Sequence, residues 1–469
     1  MPRSSAIYRR EENFHPAYVW VISIVVALGG LLFGYDWVVI GGAKPFYEQF
    51  FHLTSASQRG WAMSSALAGC LFGAVLSGVF SDKFGRKPLL CLAALMFVIS
   101  SLGTAFASTL STFSIWRILG GSAIGMASML SPMYISEVAP ARLRGRLVSV
   151  NQLTIVVGML LAQVVNWLIA QPVPTDFTAQ QIFASWNGQV AWRWMFGVTA
   201  IPGALFFVTS CAVPESPRWL VKHGSPDKAL QTLVRIGGGA YAAEAHLEIE
   251  SSLRETSAVS WRALVRRRLV KPLLLGIVLA VLQQWCGINV IFNYAQEIFT
   301  QAGYSLSGVL SNIVITGAVL LFFTLVAMAT VDKLGRRTLM LTGCAGLTVI
   351  YALLGFLYRV HHRGVALLLL ILAAIAFYAM SLAPITWVLI SEIFPNRVRG
   401  MAMSIAVASL WIACFILTFS FPLLNSRLGP ADTFWVYASV CLAGLLFTAI
   451  ALPETKGMTL EEIETSWAL

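Results

Sequence analysis

Two ionisable residues stand where a charge is hard to keep. Asp36 lies in GGLLFGYDWVVIGG and Arg117 in FSIWRILGGSAIGMAS, the two charges set well inside apolar runs of this sequence. A lone charge in an apolar interior is costly, so each offers the other its cheapest partner. Loss of water raises a carboxylate's proton affinity and a neighbouring guanidinium lowers it. A pair that alternately forms and opens therefore makes Asp36 a switchable proton acceptor. The static alternative is an ion pair that only fixes helix packing.

Hydrogen-bonding side chains form a second group. QQWCGIN places Gln283, Gln284 and Asn289 in one apolar stretch, Asn293 and Tyr294 follow a turn later, and Gln152 of VSVNQLTIVVG is the comparable amide in the first half. An amide both donates and accepts, the double capacity that a hydroxyl-rich solute requires. Pro384 and Trp387 in MSLAPITWVLISE add a position for a local helix break and an aromatic face for stacking. Each amide alone serves equally as glue between helices; the set with Trp387 points to a ligand.

A third group is duplicated. SEVAPARLRG at 136–145 returns at 391–400 as SEIFPNRVRG, and GVFSDKFGRK at 78–87 returns at 328–337 as MATVDKLGRR. The separations, 255 and 250 positions, are close to half of the 469 residues, much longer than the roughly 20–50 residue period of a solenoid. The chain is therefore two homologous halves. Asp82, Arg86, Glu137 and Arg144, with their duplicates Asp332, Arg336, Glu392 and Arg399, are expected to gather at helix ends on one face, holding the halves together in one conformation and releasing them in another. Simple caps would not require a Glu and two Arg repeated in register.

The elements that carry these residues are membrane spans. The sequence is 58% hydrophobic and 11% charged, with a mean hydropathy of +0.76, against roughly 25% charged in soluble proteins. Spanning helices of about 20 apolar residues are expected at 18–40, 61–80, 88–106, 114–138, 147–170, 192–213, 272–299, 306–331, 338–358, 365–394, 402–424 and 430–452. The all-α organisation is then a tail at 1–17, a six-helix bundle at 18–213, a polar linker with short helices at 214–271, a second six-helix bundle at 272–452 and a tail at 453–469.

Orientation follows from Lys and Arg, which accumulate in short cytoplasmic loops. With both termini inside, 25 of the 32 basic residues are cytoplasmic; Lys44, Arg59, Arg193, Arg359, Arg363 and Arg427 lie outside and Arg117 within a span. The net charge of +11 is thus a topology signal and no sign of a nucleic-acid partner. The seven cysteines all fall in spans, without CxxC spacing, which reads as packing in place of disulfides or metal ligation. The polar start PRSSAIYRREE has no cleavable-signal pattern. Enzyme chemistry has no footing: no nucleophile is set beside a base, no phosphate loop occurs, and the six His residues lie in tails or loops.

On these residues the chain resembles the sugar porter family of the major facilitator superfamily, nearest the bacterial proton-coupled pentose and hexose symporters. The resemblance rests on GGLLFGYD, DKFGRK, the Arg117 segment, SEVAPARLRG, PESPRWL, QQWCGIN, DKLGRR, SEIFPNRVRG and PETKG, nine motifs in order over nearly the whole length. It implies two six-helix bundles rocking about a central site in the inner membrane, in a monomeric carrier of a sugar and a proton that requires no cofactor or metal. It makes Asp36 the proton-coupling aspartate and Arg117 its partner. It assigns Gln152, Gln283, Gln284, Asn289 and Trp387 to sugar contact, Phe33 and Trp411 to the aromatic lining, and sets Arg86, Glu137 and Arg144 opposite Arg336, Glu392 and Arg399 at an inner gate.

The chain also departs from the family pattern. Met159 stands where close symporters have a second Gln, Asn293 where a Tyr is expected, and Leu320 and Leu410 where polar residues are expected. A site that lacks a hydroxyl's partner loses selectivity on the order of several kcal/mol, so a pentose, hexose, polyol or glycoside with a more apolar face remains open. The expected activity is import of a monosaccharide or related polyol by proton symport. Facilitated diffusion is disfavoured by the retained Asp36, drug or organic-anion antiport by the amides, and a nutrient sensor by the 16 residues that follow Pro453.

Overall fold

The computed structural model of the protein describes residues 14–174, 177–255, 267–394, 399–454 and residue 456. The first half contains α1 (Pro16–Phe50), α2 (Ala56–Phe84), α3 (Arg86–Ala105), α4 (Leu110–Val138), α5 (Ala141–Ile169) and α6 (Asn187–Ala212), the last opening on a π-helical turn. Two linker helices follow, α7 (Pro217–Lys222) and α8 (Pro226–Glu255), the second bent at Gly237 and Gly238. The second half runs through α9 (Arg267–Trp285), α10 (Ile288–Asn293), α11 (Ala295–Gln301), α12 (Leu306–Leu334), α13 (Arg336–Arg359), α14 (Val365–Met380), α15 (Leu382–Glu392) and α16 (Arg399–Ala451).

Eleven stretches among the described residues are long and apolar enough to cross a membrane. The last needs two crossings, because α16 has 53 residues and about 20 suffice. Gly429, at φ +79° and ψ 172°, breaks it immediately before Pro430. The result is the expected twelve-helix, two-bundle architecture.

Three local departures matter for the site. α1 does not stop near 40 but continues through Pro45 to Phe50, since one proline removes a single backbone hydrogen bond that a packed spanning helix can lose. Lys44, expected in an outer loop, is consequently inside a helix and 1% exposed. The seventh span breaks at Gly287, whose left-handed φ of +86° starts α10. The tenth breaks at Ser381, just ahead of Pro384; Pro384 therefore sits in the first turn of α15, where no intrahelical donor is required.

Close glycine packing sets the spacing of the helices that carry the chemistry. A Cβ at Gly34 of α1 would fall 1.8 Å from the Ile155 carbonyl oxygen of α5, and one at Gly158 of α5 would fall 2.0 Å from that of Leu31. Gly69 and Gly73 of α2 meet α4 at 2.0 Å in the same sense, and Gly121 and Gly125 of α4 meet α2 at 1.8 and 2.1 Å. Small residues four apart let spanning helices approach backbone to backbone. α1 is thereby fixed on α5 and α2 on α4, with Arg117 one turn from Gly121.

Candidate functional site

The Asp36 and Arg117 side chains meet. Arg117 donates from Nη1 to Asp36 Oδ1 at 2.6 Å, and its Cζ lies 5.3 Å from the centre of the Phe196 ring. Both residues are buried, at 6% and 3% exposure. Asp36 Oδ2 and Arg117 Nε have no hydrogen-bond partner. A void of about 10 Å³, room for about one water, lies beside the pair and is lined by Trp37, Met63, Cys70 and Asn293 among others. Asn293 belongs to α10, so the void is shared by both halves.

The amides of the second half form a relay. Gln283 Nε2 donates to the Ala383 carbonyl at 3.2 Å, Gln284 Nε2 to Gln283 Oε1 at 3.1 Å, and Asn289 Nδ2 to Gln284 Oε1. Gln283 thereby reaches across to the start of α15, just past the break at Ser381, while Asn289 sits just past the break at Gly287. Asn293 Oδ1 is buried and unpartnered. Gln152 and Trp387 are half-buried, and their side chains make no hydrogen bond to a described residue.

Phe33, Trp37 and Trp411 form an aromatic triangle with centroid separations of 5.8 to 5.9 Å, joining α1 to α16. Trp37, adjacent in sequence to Asp36, is a lining residue that sequence reasoning missed. Trp411 Nε1 is buried without a partner. The apolar replacements Met159, Leu320 and Leu410 are all buried. Gln163, which shares the α5 face of Gln152 and Met159 by helical spacing, is also buried, with Oε1 unpartnered. Its spacing of three turns from Gln152 is the sequence signal that could have identified it.

Among the described residues, two pairs of the duplicated charges meet within their own half. Arg86 Nη2 donates to Glu137 Oε1 at 2.9 Å, and Arg336 Nη2 to Glu392 Oε1 at 3.3 Å. Asp82 pairs with Lys222 of α7 at 2.9 Å and with Arg86 at 3.4 Å. Arg144 is exposed and makes no ion pair with a described residue. The side chains of Asp332 and Arg399 lie outside the described residues.

Glu215 and Glu454, each at the end of a half, were legible only as parts of PESPRWL and PETKG. Glu215 Oε1 accepts from the Arg86 N–H at 3.0 Å and Oε2 from Lys87 at 3.2 Å. Glu454 repeats this with Arg336 at 3.0 Å and Arg337 at 3.2 Å. These carboxylates satisfy orphan donors at the starts of α3 and α13. Gly85 and Gly335, at φ +95° and +89°, make the preceding turns, and a Cβ there would fall 2.3 and 2.7 Å from the carboxylate oxygens. Burial pushes the Glu215 carboxyl above its ordinary range, against the pull of the backbone N–H groups of Ser216, Arg86 and Lys87.

Comparison with known proteins matches residues 22–467 to the model of the "Sugar (and other) transporter" family. The D-xylose-proton symporter of Escherichia coli strain K12 is 38% identical over 486 residues, covering 97% of each chain. The arabinose-proton symporter of Bacillus subtilis strain 168 is 38% identical over 451 residues, covering 96% of this chain and 95% of its own. Among solved structures, the inward-open xylose transporter XylE from E. coli superposes with a TM-score of 0.83 at 38% identity, over 96% of this chain and all of the other.

Proposed function

The chain belongs to the sugar transporter family, and on that premise we propose that it imports a monosaccharide or related polyol together with a proton by alternating access. The observation that carries the proposal is the buried Asp36–Arg117 pair, set in one void with Asn293 of the opposite half. The relatives named as xylose- and arabinose-proton symporters support the same reading.

The chemistry follows from the pair. A proton on Asp36 cancels the charge that makes the Arg117 hydrogen bond strong, so α1 and α4 are free to shift relative to each other. Sugar hydroxyls exchange hydrogen bonds with Gln152, Gln283, Gln284, Asn289 and Asn293, while Phe33, Trp387 and Trp411 pack on the ring. Arg86, Glu137 and Arg144 with Arg336, Glu392 and Arg399 act at the gate on the linker side, Asp82 and Asp332 bracing its turns. Each proton carried down 100 mV of membrane potential supplies about 2.3 kcal/mol, an accumulation of about 50-fold.

The bundles at 18–213 and 272–452 move as units, with the linker at 214–271 and both termini on the cytoplasmic side of the inner membrane. The carrier works as a monomer within the lipid bilayer. Uptake of a panel of labelled sugars and polyols in a transport-deficient host tests the proposal: at least one solute accumulates, and a protonophore abolishes the accumulation. Failure to move any of them would sink it.

A further inference from the structure

Lys44 carries the one ion pair between described residues that joins the two halves. It is 1% exposed and ion-paired with two carboxylates, Glu48 one turn along α1 at 2.9 Å and Glu297 on α11. Its Nζ also lies 5.3 Å from the centre of the Tyr294 ring, whose hydroxyl donates to the Thr418 carbonyl at 2.7 Å. α1 starts at the linker, where the His15 N–H donates to the Ile236 carbonyl at 2.7 Å. Lys44 lies two turns past Asp36, about 12 Å further along the helix, toward the end opposite the linker. There the Val173 N–H also crosses to Ser307 Oγ at 3.0 Å.

The two carboxylates are not equivalent. Opening the bundle at this end separates α1 from α11, and so Lys44 from Glu297. Glu48 is on the same helix as Lys44 and travels with it. A buried ammonium stripped of all partners is strongly penalised, and Glu48 removes that penalty from the open state. Glu297, with a side chain 24% exposed, has water available when it is released.

Building on the alternating-access reading above, we propose that Lys44, Glu48 and Glu297 form a lock on the face opposite the linker, in which Glu297 holds the closed state and Glu48 makes the open state accessible. The consequence is an opposition of sign. Removing charge at Glu297 favours the open outer face, whereas removing it at Glu48 favours the closed one. A charge cluster that merely stabilised packing would respond alike to both.

The test is hydrogen–deuterium exchange by mass spectrometry on the full chain in lipid nanodiscs, comparing wild type, Glu297→Gln and Glu48→Gln, both nearly isosteric. Glu297→Gln is expected to speed exchange about 2- to 5-fold, the range of a partly exposed ion pair, in peptides spanning 41–60 and 288–305. Glu48→Gln is expected to slow it. Lys44→Met, which removes the lock outright, serves as a second variant and should behave as Glu297→Gln does. Shifts of the same sign for the two Gln variants, or no shift in any variant, would overturn the lock. Because exchange needs no substrate, that outcome is separable from a failure of wild-type protein to transport sugar, which would refute the transport reading instead.

Discussion

Arg117 clamps one oxygen of Asp36 and leaves the other free: Nη1 to Oδ1 is 2.6 Å, while Oδ2 is buried without a partner. A buried acceptor without a donor costs about 1–3 kcal/mol. A proton on Oδ2 turns that acceptor into a donor, so the geometry that looks incomplete in the ionised state is one that protonation changes directly. The pair also sits where the glycine-packed helices α1 and α4 flank the shared void, so its opening and closing is felt by both.

Arg117→Gln should lower the thermal midpoint markedly, since breaking a buried pair from one side costs about 3–5 kcal/mol. Asp36→Asn/Arg117→Gln should recover much of the loss, because no bare charge remains. Thermal unfolding in detergent checks this; a double variant as unstable as Arg117→Gln would mean that the pair is not the cause.

Gln283→Ala should raise the KM for the transported sugar about 10-fold or more. One lost hydrogen bond is worth about 1–3 kcal/mol where the partner is left unsatisfied, and 1.4 kcal/mol is tenfold. The same change removes the side-chain donor to the Ala383 carbonyl and the acceptor of Gln284 Nε2, leaving only the Asn289–Gln284 bond of the relay. Initial uptake rates across sugar concentrations measure it, with surface expression as the control.

Asp82 gives a pH prediction. Burial pushes its carboxyl up, but Lys222 and Arg86 outweigh that and hold it below the usual carboxylate range. A depressed folded pKa contributes stability that is present above the unfolded value of about 3.9 and is lost as pH falls through the folded value. Asp82→Asn should therefore lower the thermal midpoint at pH 7 by about 1–2 °C, a small effect because the pair is largely exposed. The difference should shrink as pH falls below the unfolded value and vanish once Asp82 is protonated in the folded state.

Much of the fold was legible because membrane spans announce themselves by length and hydropathy, and because duplicated DK-x-GR turns and SE-x-x-P segments mark the halves. Asp36 and Arg117 were legible for the same reason: charges stand out in apolar runs. Lys44 was hidden by the converse, since Lys44, Pro45 and Glu48 end the hydropathy window while the helix continues to Phe50. Its partner Glu297 is 253 positions away, and nothing local connects them. Glu215 and Glu454 act on backbone N–H groups, which carry no side-chain pattern. The duplicated charges were readable as a repeat, but which of them meet depends on how the helices within each half pack.

The most direct measurement of the central claim is Asp36→Asn, assayed for uphill accumulation and for sugar exchange across the same membranes. Neutral Asn retains the size of a protonated Asp but cannot gain or lose a proton. Accumulation driven by a proton gradient should be abolished while sugar-for-sugar exchange continues at a comparable rate. Accumulation at the wild-type level would contradict a proton-coupling role for Asp36.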